Sequence, residues 1–168
     1  SLVAMTKDNL KARLAYSTIS QLSYITLGMA LATSLGVMGG AMHIAMHAMG
    51  KITLFMCAGA IYVATHKTEI SEMDGLGRAM PFTYAAFLIG ALSIIGLPPL
   101  GGSWSKYYLM LGAADTGQLV MIGVFMLSSL LNIAYLLPVV ARGFYLGARP
   151  AHALSSAPSS RGGIQEAP

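Results

Sequence analysis

The chain has 168 residues, 55% of them hydrophobic and only 10% charged, with a mean hydropathy of +0.66. A soluble domain carries about 25% charged residues, so this composition belongs to an integral membrane protein with room for about four or five spans of roughly 20 residues each. The net charge of +4 is set largely by loop lysines and arginines, which bear on orientation, and no basic, aromatic-interleaved stretch points to RNA or DNA. The single cysteine, Cys57, lies in an apolar run and excludes a disulfide framework.

Taken in order, residues 1–13 are a polar loop leading into the first span, with Asp8 expected as the helix N-cap or as a partner of Lys11. No signal peptide opens the chain, and Lys7-Asp8-Asn9 reads as a loop inside a longer polypeptide, of which this is the C-terminal part. The first span is expected over 14–37. Its first half carries Ser17, Ser20, Gln21, Ser23, Tyr24 and Thr26, too polar to face lipid all round, so one side should face protein or water. Gly36, Gly39 and Gly40 read as a short turn, followed by a second span over 41–65 that ends at His66-Lys67-Thr68-Glu69 in the headgroup region.

Glu69, Glu72, Asp74 and Arg78 make residues 69–78 an aqueous loop, and Pro81, a favoured first-turn residue, starts a third span to about Leu97. Pro98, Pro99, Gly101 and Gly102 then break the helix, since prolines remove donors and glycines loosen the backbone. A helix over 103–114 follows. Its roughly 12 residues rise about 18 Å, too little for a hydrocarbon core of about 30 Å. It is either half of a discontinuous helix or a span completed by the preceding segment. Asp115-Thr116-Gly117 turns the chain into a last span over 118–140 containing Asn132 and Pro138, with Arg142 and Arg149 as its polar stop. The membrane region is therefore 14–148, and residues 149–168 form a polar tail with the composition of disorder. Loop charge leaves the sidedness open, because it depends on whether the broken segment spans.

Ionisable groups within spans carry the functional signal, since charge there is costly and marks ion or proton paths. His43, His47 and Lys51 recur at i, i+4 and i+8, one stripe of a helix with steps of about 6 Å. Each can take up and release a proton, and waters must bridge the gaps, because direct transfer needs about 3 Å. The plainer alternative has the histidines bonding to neighbouring helices and Lys51 snorkelling. A His-x-x-x-His metal site lacks an evident third ligand. Lys106 follows the helix break, where unpaired backbone groups can hold water or ions; the alternative is a surface anchor in an aromatic belt with Trp104, Tyr107 and Tyr108. Lys11 reads from the residues alone as a headgroup lysine. Nucleotide loops, catalytic triads and paired intramembrane carboxylates do not occur, so the chain reads as a transporter subunit rather than an enzyme, with no bound cofactor.

Several motifs in order resemble the antiporter-like proton-conducting membrane subunits, a family that joins the Mrp-type Na⁺/H⁺ antiporters and complex I. They are Asp8-x-x-Lys11-x-Arg13-Leu14-Ala15-Tyr16-Ser17-Thr18-Ile19-Ser20-Gln21, the His43/His47/Lys51 run, Asp74-Gly75-Leu76-Gly77-Arg78-x-Met80-Pro81, and Gly96-Leu97-Pro98-Pro99-Leu100-x-Gly102-x-x-Ser105-Lys106. The 67–78 loop and the 98–106 segment are most similar to the D subunit of the Mrp type. The resemblance implies an all-α, polytopic helical bundle with one discontinuous helix, part of an inverted-repeat antiporter fold. It implies a proton path through Lys106, Lys51, His47 and His43, and it adds Lys11, at the start of its helix, as a further member of that path. It implies other membrane subunits as partners, protons and Na⁺ as cargo, and a bacterial inner membrane as location. The family's first repeat has no counterpart here, so another segment or chain is expected to supply half of the path. The expected function is proton translocation coupled to Na⁺ antiport. The alternatives are a proton-pumping subunit of complex I, where the chain would be a translocase component, or of a membrane-bound hydrogenase, and a scaffold subunit without transport.

Overall fold

A computed structural model describes residues 1–145; the tail expected over 149–168, with Arg149, lies outside the described residues. Seven α-helices and one 3₁₀ turn occur among the described residues: α1 Leu2–Thr6, α2 Leu10–Ala30, α3 Ser34–Thr65, the 3₁₀ turn Ile70–Glu72, α4 Leu76–Ala79, α5 Pro81–Ile95, α6 Gly101–Asp115 and α7 Leu119–Tyr145. The axis of the bundle is α3, which packs along α2, α5 and α6, while α7 closes the far side against α5 and α6.

Local chemistry explains where these helices begin. Asn9, not Asp8, caps α2, its side chain accepting from the Ala12 amide at 3.1 Å. Asp8 instead accepts from the Ser71 amide at 3.2 Å and from its hydroxyl, tying the entry of α2 to the loop before α4. Thr33 caps α3, so α2 and α3 are separated only by Leu31, Ala32 and Thr33. The turn expected at Gly36, Gly39 and Gly40 is thus absent, and all three glycines are buried inside α3. They serve close packing: a Cβ on Gly39 would stand 2.8 Å from the Leu109 backbone nitrogen, and one on Gly36 would stand 2.7 Å from the Gly28 carbonyl oxygen. Pro81 starts α5 as expected. The last span reaches Tyr145, so Arg142 lies inside α7 and not beyond it.

The broken segment crosses once. Moving down α3, Leu54 meets Gly90, Gly50 meets Ile94, Met46 meets Gly101, His43 meets Ser105, Gly39 meets Leu109, and Gly112 meets Gly36. α5 and α6, each of 15 residues, therefore run in tandem antiparallel to the 32 residues of α3. The break itself is Gly96 to Leu100. Gly101 and Gly102, expected within it, form the first turn of α6, where Gly102 lets its helix touch the Ser93 carbonyl oxygen. One consequence is charge asymmetry. Lys7, Lys11, Arg13, Lys67, Arg78 and Arg142 all lie at the end where α2 and α5 begin and α3 and α7 finish. The other end carries no lysine or arginine among the described residues.

Two apolar clusters form the core. One gathers Leu14, Leu54, Ile61, Tyr84, Phe87 and Leu136 toward the charged end; the other gathers Tyr24, Leu31, Leu109, Ala113 and Phe125 toward the opposite end. Between them each long helix contributes its buried polar residues: Ser17 and Gln21 from α2, His43, His47 and Lys51 from α3, Ser105 and Lys106 from α6, Asn132 from α7.

Candidate functional site

The inward face of α2 is Leu10, Leu14, Ser17, Gln21, Tyr24 and Gly28, spaced three or four apart. Ser17, Gln21 and Tyr24 therefore face protein, while Ser23 and Thr26 of the same half are exposed. Opposite it, His43, His47 and Lys51 are only 2%, 8% and 6% exposed.

Lys51 sends its ammonium across to α2, donating to the Leu14 carbonyl at 2.7 Å and to the Ser17 hydroxyl. Ser17 in turn donates to the Leu14 carbonyl at 2.8 Å, which leaves its lone pairs for Lys51. His43 bridges two helices, with Nε2 3.0 Å from Gln21 Oε1 and Nδ1 2.9 Å from Ser105 Oγ. With Gln21 Oε1 accepting, Nε2 carries the proton and Nδ1 accepts from Ser105. The Ser105 hydroxyl has a second acceptor within reach, the Gly102 carbonyl at 3.1 Å. His47 stacks on His43, with centroids 6.0 Å apart and planes within 13°. Both of its ring nitrogens are buried without a protein partner. Buried polar atoms are almost always hydrogen-bonded, so His47 is the member of the stripe whose hydrogen-bonding capacity is unused among the described residues.

Lys106 is 6% exposed and donates to the carbonyls of Ile94 at 3.0 Å and Ile95 at 2.7 Å. The sequence dictates this pairing. In a continuing helix those two carbonyls would accept from residues 98 and 99, and both are prolines, which have no N–H. Lys106 takes the place of the two missing donors. The face of Tyr24 lies 5.2 Å from its Nζ, a favourable seat for a cation. Trp104 and Tyr107 point outward at 57% and 51% exposure, so the aromatic-belt alternative does not describe Lys106, which turns inward from its neighbours. A cleft of about 730 Å³ opens beside this joint between Pro98, Lys106, Tyr107, Phe125 and Leu130.

Lys11 is exposed, its Nζ 4.7 Å over the Tyr62 ring at the charged end, and does not join the buried layer. Two participants, Ser105 and Tyr135, escaped the reading of the sequence. Ser105 pairs with His43. Tyr135, fully buried on α7, donates to Asn132 Oδ1 at 2.6 Å and lies beside Ser17 and Gln21. Asn132, four turns into an otherwise apolar α7, was the signal that could have found this pair.

A membrane-spanning bundle built on one broken helix, with two buried lysines held by neutral acceptors, defines an antiporter-like integral membrane subunit. Residues 1–132 match the transmembrane family of NADH:quinone oxidoreductase and Mrp antiporters, and the chain belongs to that family. It is 38% identical over 147 residues to NADH-quinone oxidoreductase subunit N of Desulforudis audaxviator, covering 88% of this chain and 29% of that protein's length. Among solved structures it superposes with a TM-score of 0.81 and 31% identity on a chain of the Mrp complex from a Dietzia species, covering 98% of this chain and 32% of that one. A chain of respiratory complex I from Thermus thermophilus matches with the same TM-score, 28% identity, and coverage of 97% and 32%. The chain thus spans about a third of the length of the proteins it resembles.

Proposed function

We propose that the chain carries protons across a bacterial plasma membrane through Lys106, His43, His47 and Lys51, exchanging them for Na⁺ or another monovalent cation as part of a multisubunit assembly. One observation carries this reading: two lysines are buried among neutral partners, and the acidic side chains of the described residues all lie outside the layer that holds them. An ammonium held only by carbonyls and hydroxyls can lose its proton without stranding a buried carboxylate. His43 and Ser105, each able to donate and accept, lie between the helices that bear the two lysines. Lys11 falls outside this path and serves the headgroup zone.

A second reading, electron-transfer-driven pumping in a quinone oxidoreductase, is favoured by the names of relatives such as subunit N. The two differ in what drives the same relay. Inverted vesicles holding the full-length protein with its neighbouring subunits separate them. A Na⁺ pulse that releases protons supports antiport, and acidification driven by NADH and quinone alone supports the second reading. Loss of either signal in Lys106→Ala at normal assembly supports the path, and retention removes Lys106 from it.

Orientation follows from the asymmetry of charge. Lysine and arginine flank spans on the cytoplasmic side, so the end bearing Lys7, Lys67, Arg78 and Arg142 faces the cytoplasm. Cysteines placed at Lys67 and Gln118 should label from opposite sides with an impermeant maleimide; labelling of both from one side rejects this topology.

A further inference from the structure

Arg13 spends its donors on backbone, not on a carboxylate. Its Nε donates to the Lys7 carbonyl at 2.8 Å, one terminal nitrogen to the Met5 carbonyl at 3.5 Å, and the other to the Tyr135 carbonyl of α7 at 3.3 Å. Asp8, the nearest acid in sequence, is occupied by Ser71. The contact on α7 falls at a weak turn. Pro138 has no N–H for the Ala134 carbonyl and its ring crowds that turn, and Tyr135 is the next carbonyl along. A proline inside a helix marks the place where it bends most readily, and one guanidinium nitrogen from α2 takes hold of the carbonyl beside that turn.

The side chain of the same Tyr135 reaches the polar layer. Its hydroxyl donates to Asn132, in the space beside Ser17 and Gln21. Ser17 holds Lys51, and Gln21 holds His43. Gln21 Nε2 and Asn132 Nδ2 are both buried and make no hydrogen bond among the described residues, and both side chains lie within reach of the tyrosines of this corner. We infer that Arg13 is a positioning residue for proton transfer: it pins the Pro138 turn of α7, and thereby the Tyr135–Asn132 pair, against the Ser17–Gln21 face that holds Lys51 and His43.

This inference rests on the proton-path reading above, so the test carries its own control. The charged groups acting on Arg13 are Asp8 and Arg142. The titratable groups on the elements packed against α7 are Lys11, Tyr16 and Tyr24 on α2, Arg78 on α4, Tyr84 on α5, and Lys106, Tyr107, Tyr108 and Asp115 on α6, with Arg142 and Tyr145 on α7 itself; His43, His47 and Lys51 of α3 lie one helix away. The full-length protein in its complex is measured in vesicles as parent, Arg13→Lys, Tyr135→Phe, the double variant, and Lys51→Ala. Arg13→Lys keeps the charge at the membrane end, but a single ammonium cannot span three carbonyls. Each single variant should slow proton transport per assembled complex roughly three- to tenfold and displace its pH profile by the same amount. The double variant should be no worse than the slower single, because both act through one link.

Effects that multiply in the double variant overturn the inference. So does an unchanged rate and pH profile per complex in Arg13→Lys, with assembly alone reduced. Tyr135→Phe removes one hydroxyl and keeps the ring, so a parental rate and profile there overturns it without reference to Arg13. Full transport in Lys51→Ala would sink the proton-path reading instead, while coupling between Arg13 and Tyr135 would still decide whether Arg13 acts through Tyr135.

Discussion

The two buried lysines solve one problem in different ways. Lys51 stands in the middle of an unbroken 32-residue helix and must look to a neighbour for partners, a carbonyl and a hydroxyl on α2. Lys106 stands just past a break, and its partners are two carbonyls whose ladder donors were replaced by Pro98 and Pro99. Carbonyls only accept, so the Lys106 seat favours an ammonium and returns nothing. The Ser17 hydroxyl both accepts, from Lys51, and donates, to the Leu14 carbonyl, so the Lys51 seat includes a group that can rotate between the two roles. The difference shows that a break in a helix is itself a binding group, and that an intact helix has to borrow one.

The largest effect that would sharpen this contrast is loss of either amine. Lys106→Ala and Lys51→Ala should each lower proton transport about a hundredfold or more, the scale of a lost positioned proton-transfer group; transport by one of them at the parental rate would break the symmetry of the pair. Next comes Gly102→Ala, whose Cβ would run into the Ser93 carbonyl oxygen. The joint should loosen, costing about 1–3 kcal/mol of stability, seen as a lower midpoint in thermal unfolding of the complex, with transport impaired at the Lys106 side.

Ser17→Ala is smaller and more informative. It removes one of two partners of Lys51 and none of Lys106, so transport should fall about three- to tenfold with unfolding little changed. Equal damage from Ser17→Ala and Lys51→Ala would mean that the hydroxyl, not the amine, is the relay. Lys11→Ala should be nearly silent, within about 0.5 kcal/mol in stability and at the parental rate, since Lys11 is exposed over Tyr62. A large loss there would move Lys11 into the path.

Much of this site was legible because helical spacing is rigid. His43, His47 and Lys51 had to share a stripe, and Ser17, Gln21 and Tyr24 had to share another, on a span too polar to face lipid. What the spacing could not reveal was the use of glycine. Gly36, Gly39 and Gly40 read as a turn because glycine is permissive of turns, yet here its lack of a side chain brings α3 against α2 and α6. The same ambiguity put Gly101 and Gly102 in the break rather than in α6. The direction of Lys106 was undetermined for a different reason: its neighbours Trp104 and Tyr107 suit a membrane surface, and only the packed α3 decides which face turns inward. Asp8 was expected as the cap of α2, but the Ser71 loop engages it, and Asn9, the next residue, caps the helix instead.

The glycine contacts also divide the broken span into two differently held halves. Gly39 and Gly112 bring α6 backbone-to-backbone onto α3, with a Cβ on Gly112 only 2.6 Å from the Gly36 nitrogen. α5 meets α3 through side chains, such as Leu54 over Gly90 and Ile94 over Gly50. Lys106, on the half packed backbone-to-backbone, reaches across the break to the Ile94 and Ile95 oxygens of the other half. One side chain thereby stitches together two helices that the prolines keep from continuing into each other.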